Sequence, residues 1–401
     1  MIDSTVIVNA RLPGRSGLYQ ISIKDGVVDS IDPGSEESTD LFQQASANVQ
    51  DLQGDWVSPG AVDLQINGAL GLAFPDLRIE QIDQLQAICE LLWQQGVSGF
   101  CPTLVTTSLE NFHGSLAAIQ TFRQQQLKQP TARSAQVVGA HLEGPFLNEA
   151  KRGAHPKAYL QPLSLETIKR VVGDFADAIS IMTLAPEQAD DDDVIGWLTE
   201  QEITVSLGHS LATAAQAKRA FDQGATMVTH AFNAMPGLHH REPGLLGAAL
   251  IDPRVFCGFI ADGEHICKPM LDLLLRMGKG VTHGAIPHEY SGGLGGLFLV
   301  SDALSPLGLP DGHYPWDSRT IEVINGTARL ADGTLSGTTL PLVQGAINLV
   351  EWGLCSVDDA LLLVTDSPRR AIGLPLLSPG SSANLLRWHQ PTQGQLTHQW
   401  L

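Results

Sequence analysis

Short apolar runs alternate with longer amphipathic segments through most of this chain, a rhythm that predicts parallel strands separated by helices. The runs are VDLQING, GFCPTLVT, QVVGAHLEG, AISIMTLAPE, TVSLGHS, TMVTHAFN, VFCGFIADG and LFLVSDA. Eight such runs are what a (β/α)₈ barrel needs to close. Between the first two, EQIDQLQAICELLWQQG sets Ile82, Leu85, Ile88, Leu91 and Leu92 on one helical face. The chain ends read differently. STVIVNARLP and LYQISIKDGVVDSID alternate apolar with polar residues across an Asp25-Gly26 turn, which predicts a hairpin. After the eighth run come two further turn signals, Asn325-Gly326 and Asp332-Gly333, then a helical stretch near 341–354. The tail is again short, β-like and punctuated by Gly and Pro. The expected architecture is α/β: a barrel over residues 57–373, with a small β-sandwich-like domain made from 1–56 plus 374–401.

Composition narrows the choice. At 401 residues, 43% hydrophobic and only 17% charged, the chain can fill one large core or two unequal ones. Its 43 acidic against 24 basic residues leave a formal net charge of −19, a field that opposes nucleic acid as a partner. No basic stretch with an apolar core opens the chain, and no apolar run approaches the roughly 20 residues that span a bilayer. These features predict a cytoplasmic protein with no membrane partner. Five scattered cysteines, without a C-x-x-C pair, suit reduced thiols better than a disulfide frame. The acidic run ADDDD at 189–193 reads as a solvated helix start favoured by the macrodipole.

The chemistry collects at the ends of the runs: Asn67, Glu143, His209, His230, Asp262 and Asp302. In a barrel those ends share one mouth. A carboxylate ending an apolar strand needs a cationic partner, and a metal ion is one. Singly, His209 and His230 are ordinary hydrogen-bonded core histidines; with Glu143 they make one carboxylate and two imidazoles, which leave a zinc-like ion an open position. Asp302 reads either as a helix cap or as a general base toward a water whose pKa the ion lowers to roughly 7. Beyond His230 stand Asn233, His239, His240 and Arg241, and DGEHICKP adds His265. Arg241 offers a planar fork suited to phosphate, and His265 a second donor.

SPGAVDLQINGALG, HLEGPFLNEAKRGAHP, SLGHSLAT, VTHAFNAMPGLHHREPGLLGAAL, IADGEHI and LVSDALSP stand in an order that resembles the amidohydrolase superfamily, and within it the N-acetylglucosamine-6-phosphate deacetylases. The resemblance implies one divalent ion on Glu143, His209 and His230, with zinc or iron as first expectations and cobalt or manganese compatible. It implies Asp302 as acid/base and sugar contacts from Gln65, Ala154, His155, Asn233 and Ala234. It gives the 6-phosphate to Arg241 and His265, has His155 steady the oxyanion, and implies a homodimer. Other superfamily members carry His-x-His where this chain has Gln65 and Asn67; amides are poor ligands for zinc-like ions, so a single-metal site is expected. The expected reaction is hydrolysis of the acetamide of N-acetyl-D-glucosamine 6-phosphate. Alternatives are an N-acyl epimer such as N-acetylgalactosamine 6-phosphate, a cyclic amide, which the missing His-x-His disfavours, and a non-catalytic sugar-phosphate sensor. The Gly-rich lead into the Asp302 strand, 282–296, is longer than the family pattern and is read as a mobile loop at the substrate entrance.

Overall fold

The computed structural model describes residues 4–34, 48–189, 193–279, 294, 296–316, 319–391 and 395–401. The expectations for the acidic run, at 190–192, and for nearly all of the Gly-rich lead fall outside these described residues.

All eight runs form strands: β1 (Ala61–Ile66), β2 (Val97–Val105), β3 (Ala140–Glu143), β4 (Ile179–Leu184), β5 (Thr204–Leu207), β6 (Met227–Val228), β7 (Phe256–Phe259) and β8 (Leu297–Leu299). They pair in chain order, every pair parallel. The barrel closes just beyond β8, where Asp302 N donates to Gln65 O at 2.8 Å and Asn67 N donates to Ala303 O at 2.7 Å. Closure is thus made by the backbone of residues whose side chains face the mouth.

Val62, Leu64, Cys101, Ile181, Met227, Ile260, Phe298 and Val300, contributed by several different strands, form one buried apolar cluster, as a filled barrel interior requires. A larger cluster packs the helices against the outer strand faces. The first helix, Ile82–Gln94, buries Leu85, Ile88, Cys89, Leu92 and Trp93, the stripe that the spacing predicts shifted slightly around the axis. Ser108 and Thr213 cap the helices that follow β2 and β5, each accepting a bond from a backbone N–H of the first turn.

Strand β1 departs from simple alternation. Val62 and Leu64 alternate into the interior cluster, which by period two would turn Gln65 away from it, yet Gln65 reaches the mouth past a register shift with β2 between Asp63 and Ile66. Strand periodicity alone predicts Asp63, Gln65 and Asn67 on one interior face; the structure replaces that with a bulged strand end, a device that re-aims side chains.

The chain ends fold into sheets beside the barrel. Ser4–Ala10, Tyr19–Lys24, Val27–Pro33 and Asn48–Asp51 make one; Trp56–Pro59, Leu385–His389 and Thr397–Trp400 make another. The expected hairpin turn is present, with Asp25 at φ 50° and Gly26 at φ 74°, the double positive φ of a type I′ turn. Trp388 is fully buried and its indole N–H donates to Ser58 Oγ at 2.8 Å. A third sheet, Gly312–Trp316, Arg319–Ile324, Thr327–Leu330 and Leu335–Thr338, is an antiparallel meander. It follows β8 and is tied to it where Leu304 N donates to Thr338 O at 2.8 Å. Among the described residues, no helix is long and apolar enough to cross a membrane.

Candidate active site

Glu143 ends β3 and is 2% exposed. Its Oε1 lies 2.9 Å from His209 Nε2 and 3.1 Å from His230 Nε2, and the two imidazole nitrogens are 3.0 Å apart. His155 Nε2 stands farther off, 3.8 Å from the same oxygen. Glu143, His155 and His209 also form a group whose ligand atoms lie within 4.8 Å of one another. Four groups thus compete for a place around one point.

The backbone sorts the imidazoles. His209 Nδ1 is 2.8 Å from the Lys151 carbonyl oxygen, which can only accept, so Nδ1 carries the proton and Nε2 presents a lone pair to Glu143. At His155 the arrangement is reversed: Thr106 N donates to Nδ1 at 3.2 Å, so the proton of the neutral ring sits on Nε2. The two rings therefore present different atoms to the site, His209 a lone pair and His155 an N–H. A lone pair and a carboxylate oxygen facing each other at 2.9 Å, with a second imidazole beside them, is a donor set that fits a divalent cation.

Asp302 reaches the same point from the opposite wall. Asn67 Nδ2 donates to its Oδ1 at 2.7 Å, and Gln65 Nε2 lies 3.2 Å from both Asp302 Oδ1 and Glu143 Oε2. One amide bridges two carboxylates. Burial, then the Glu143 charge, raises the Asp302 carboxyl from its ordinary 3.8 to about 6, against opposing pulls from His230, His265 and Asn67. At Glu143 burial pushes up too, but the three imidazoles gathered around it, His155, His209 and His230, outweigh it and hold the group well below its ordinary value. His209 (φ 48°), His230 (φ 30°) and Asp302 (φ 50°) all sit in the left-handed region. Such a conformation costs non-glycine residues about 1–3 kcal/mol and clusters at functional sites.

No family model matches the chain. Relatives and solved structures do. N-acetylglucosamine-6-phosphate deacetylase of Bos taurus is 36% identical over 333 residues, 81% of this chain and 76% of that protein. The present chain belongs to the N-acetylglucosamine-6-phosphate deacetylase family. The N-acetylgalactosamine-6-phosphate deacetylase of Escherichia coli O157:H7 is 30% identical over 92% of this chain and 90% of its own. Among solved structures, N-acetylglucosamine-6-phosphate deacetylase from Pasteurella multocida matches with TM-score 0.78 and 27% identity over 96% of this chain and 95% of its own. A Mycobacterium smegmatis deacetylase mutant in complex with N-acetyl-D-glucosamine-6-phosphate matches with TM-score 0.77 and 25% identity over the same shares.

The other positions that the family pattern singles out are placed unequally. Gln65 and Asn67 are at the centre, 1% and 8% exposed. Ala154 precedes His155 and its carbonyl accepts from Arg319 Nη2 at 2.9 Å. Asn233 and Ala234 are half-buried in the loop after His230, where Ala234 O accepts from Ser210 N. His265 is 8% exposed at its side chain, its Nδ1 2.6 Å from Asp262 Oδ2. Arg241 stands exposed, bonded through its backbone N to His239 Nδ1 at 3.4 Å, and among the described residues no bond joins it to His265.

Three neighbours of the site have no place in the sequence reading. Thr106 and Lys151 act through backbone atoms, which residue type does not reveal. His141 sits two residues before Glu143 on β3, with Nδ1 3.1 Å from Leu64 O and Nε2 2.7 Å from Thr183 Oγ1. Strand periodicity held that signal, since positions i and i+2 share a face. Burial pushes the His141 imidazole down to about 4, so this ring is a neutral strut beneath the site.

Proposed function

We propose that the chain hydrolyses the acetamide of N-acetyl-D-glucosamine 6-phosphate to D-glucosamine 6-phosphate and acetate, using one divalent ion on Glu143, His209 and His230. The observation that carries this reading is the amide of Gln65, which hangs the ligand carboxylate and Asp302 on one group at 3.2 Å each. It puts a metal-fit triangle and a carboxyl raised to about 6 side by side in a family of sugar-phosphate deacetylases. An ion held there supplies Lewis-acid polarisation of the acetamide carbonyl and lowers the pKa of water toward about 7.

The residues divide the remaining work. Asp302, ionised near neutrality, takes a proton from the attacking water. The carbonyl carbon becomes tetrahedral, and the His155 Nε2–H donates to the oxyanion that forms, an effect commonly worth about 2.7–4 kcal/mol per donor. Asp302 then returns the proton to nitrogen as the C–N bond breaks, releasing the amine and acetate. Gln65 donates to both carboxylates where a second cation would otherwise hold them apart, which supports a single ion. His265, paired with Asp262, and Arg241 receive the 6-phosphate; the exposure of Arg241 supports its acting on the substrate of a neighbouring subunit in a homodimer.

The galactosamine epimer is the second reading, favoured by the 30% identity to the Escherichia coli O157:H7 enzyme over 92% of the chain. Acetate release from the two N-acetyl hexosamine 6-phosphates, before and after chelation and readdition of the ion, tests both. A higher kcat/KM on the glucosamine form, lost with the ion and regained with it, is expected. Preference for the galactosamine form shifts the assignment to the epimer, and activity indifferent to chelation overturns the metal reading.

A further inference from the structure

His209 needs more support than its own strand supplies. It lies beyond the end of β5 in a left-handed conformation, and its ring is aimed by a carbonyl, Lys151 O, that belongs to the loop after β3. Two separate loops must therefore keep a fixed spacing for Nε2 to face Glu143.

Glu187, just after β4, lies between those loops and takes bonds from both. From the His209 side, Ser210 Oγ donates to Oε2 at 2.6 Å and Leu211 N donates to Oε1 at 2.5 Å. From the other side, Asn148 Nδ2 donates to Oε1 at 2.9 Å. The link is closed by Asn148 N, which donates to His209 O at 3.0 Å. Among the described residues no cation pairs with Glu187, so its charge is met by three neutral donors. A half-buried carboxylate used this way is a clamp, because each donor is directional and the acceptor is strong.

We propose that Glu187 is a positioning residue that sets the affinity of the site for its ion, by locking the His209 loop to the loop whose Lys151 carbonyl orients the ring. This rests on the ligand reading above. Partners of metal ligands in this role are typically worth 10–100-fold in metal affinity.

The test is Zn²⁺ affinity of metal-stripped protein, read by competition with a chromophoric chelator, beside thermal unfolding of the metal-free forms. Glu187→Ala is expected to bind roughly 10–100-fold more weakly, with a metal-free unfolding midpoint within a few degrees of the parent. Glu187→Gln should lose less, since its amide oxygen keeps Asn148 and Leu211 while its NH₂ faces the Ser210 hydroxyl. Ser210→Ala, which removes one donor and leaves the carboxylate, should also weaken binding, and it serves if Glu187→Ala fails to fold. Unchanged affinity in these variants, with His209→Gln strongly weakened, overturns the proposal alone. His209→Gln binding as tightly as the parent overturns the ligand reading and the proposal with it.

Discussion

Two histidines 4.5 Å apart, centroid to centroid, present different atoms to the site because different backbone atoms hold them. His209 meets a carbonyl and His155 meets an N–H, so one ring offers a lone pair and the other a proton. Substitution separates the roles. His209→Gln or His230→Gln should lower bound metal well below the parent level, measured by elemental analysis after dialysis. His155→Gln should keep its metal and lose turnover by roughly 10²–10³-fold, the usual effect of one oxyanion donor. Metal loss from His155→Gln at the level of His209→Gln would put His155 among the ligands. Asp302→Asn should keep its metal and lose roughly 10²–10⁴-fold. With Asp302 as the proposed base and its carboxyl raised to about 6, kcat/KM should climb through that region as pH rises and then level off. Glu143, His209, His230 and Asp302 are readable as strand-end residues, but the sorting of the imidazoles is not. It depends on Thr106 N and Lys151 O, atoms that every residue carries and that only the folded loops bring near the rings.

The first barrel strand carries a group whose effect belongs to the element. Asp63 is 1% exposed, and its Oδ1 accepts from Ser301 N at 3.2 Å and Gln65 N at 3.3 Å, joining β1 to the segment beyond β8. Burial, against bonds from Ser301 and Gln65, raises its carboxyl from 3.8 to about 7. The folded state thus favours the protonated form, and the stability this confers is full below about pH 4 and is lost as pH rises from there to about 7. In that window the group contributes a fall of up to about 1.4 kcal/mol per pH unit. Asp63→Asn removes the titration, so in denaturant unfolding it should gain on the parent between about pH 4 and about pH 7 and hold a constant difference above that. Parallel stability curves for the two proteins would show that Asp63 does not titrate this way. The turn after β3 imposes a second constraint. Gly144 has φ 89°, and a Cβ there would lie 2.2 Å from Thr106 Oγ1. Gly144→Ala should therefore displace the Thr106 hydroxyl, which donates to Glu143 O at 3.3 Å, lowering the unfolding midpoint and weakening metal binding together. A variant with parent-like values for both would contradict this. The bulge in β1 was hidden from the periodicity, because VDLQI reads as an unbroken strand and the shift comes from its pairing with β2.

The whole chain joins eight strand ends into one mouth, and the order of apolar runs made that much legible, down to a strand as short as Met227–Val228. The hairpin at Asp25-Gly26 was equally legible, since its two residues favour positive φ. The meander over 312–338 was less so. Its turns announced themselves at Asn325 and Gly333, yet nothing local says that its last strand returns to the residues after Asp302, or that Arg319 reaches Ala154 O. The flanking sheets join both chain ends, with Val27 bridged to Ser382. The net charge of −19 gives an anionic sugar phosphate no general attraction, so the proposed function leaves its capture to local groups, for which His265 and Arg241 are the candidates. These features meet in one measurement: acetate release from N-acetylglucosamine 6-phosphate beside unphosphorylated N-acetylglucosamine, on one batch of protein whose metal content is known. The account predicts turnover of the phosphorylated sugar alone, at about one ion per chain, the count of a three-ligand site with one open position. Two ions per chain, or equal turnover of both sugars, would contradict it.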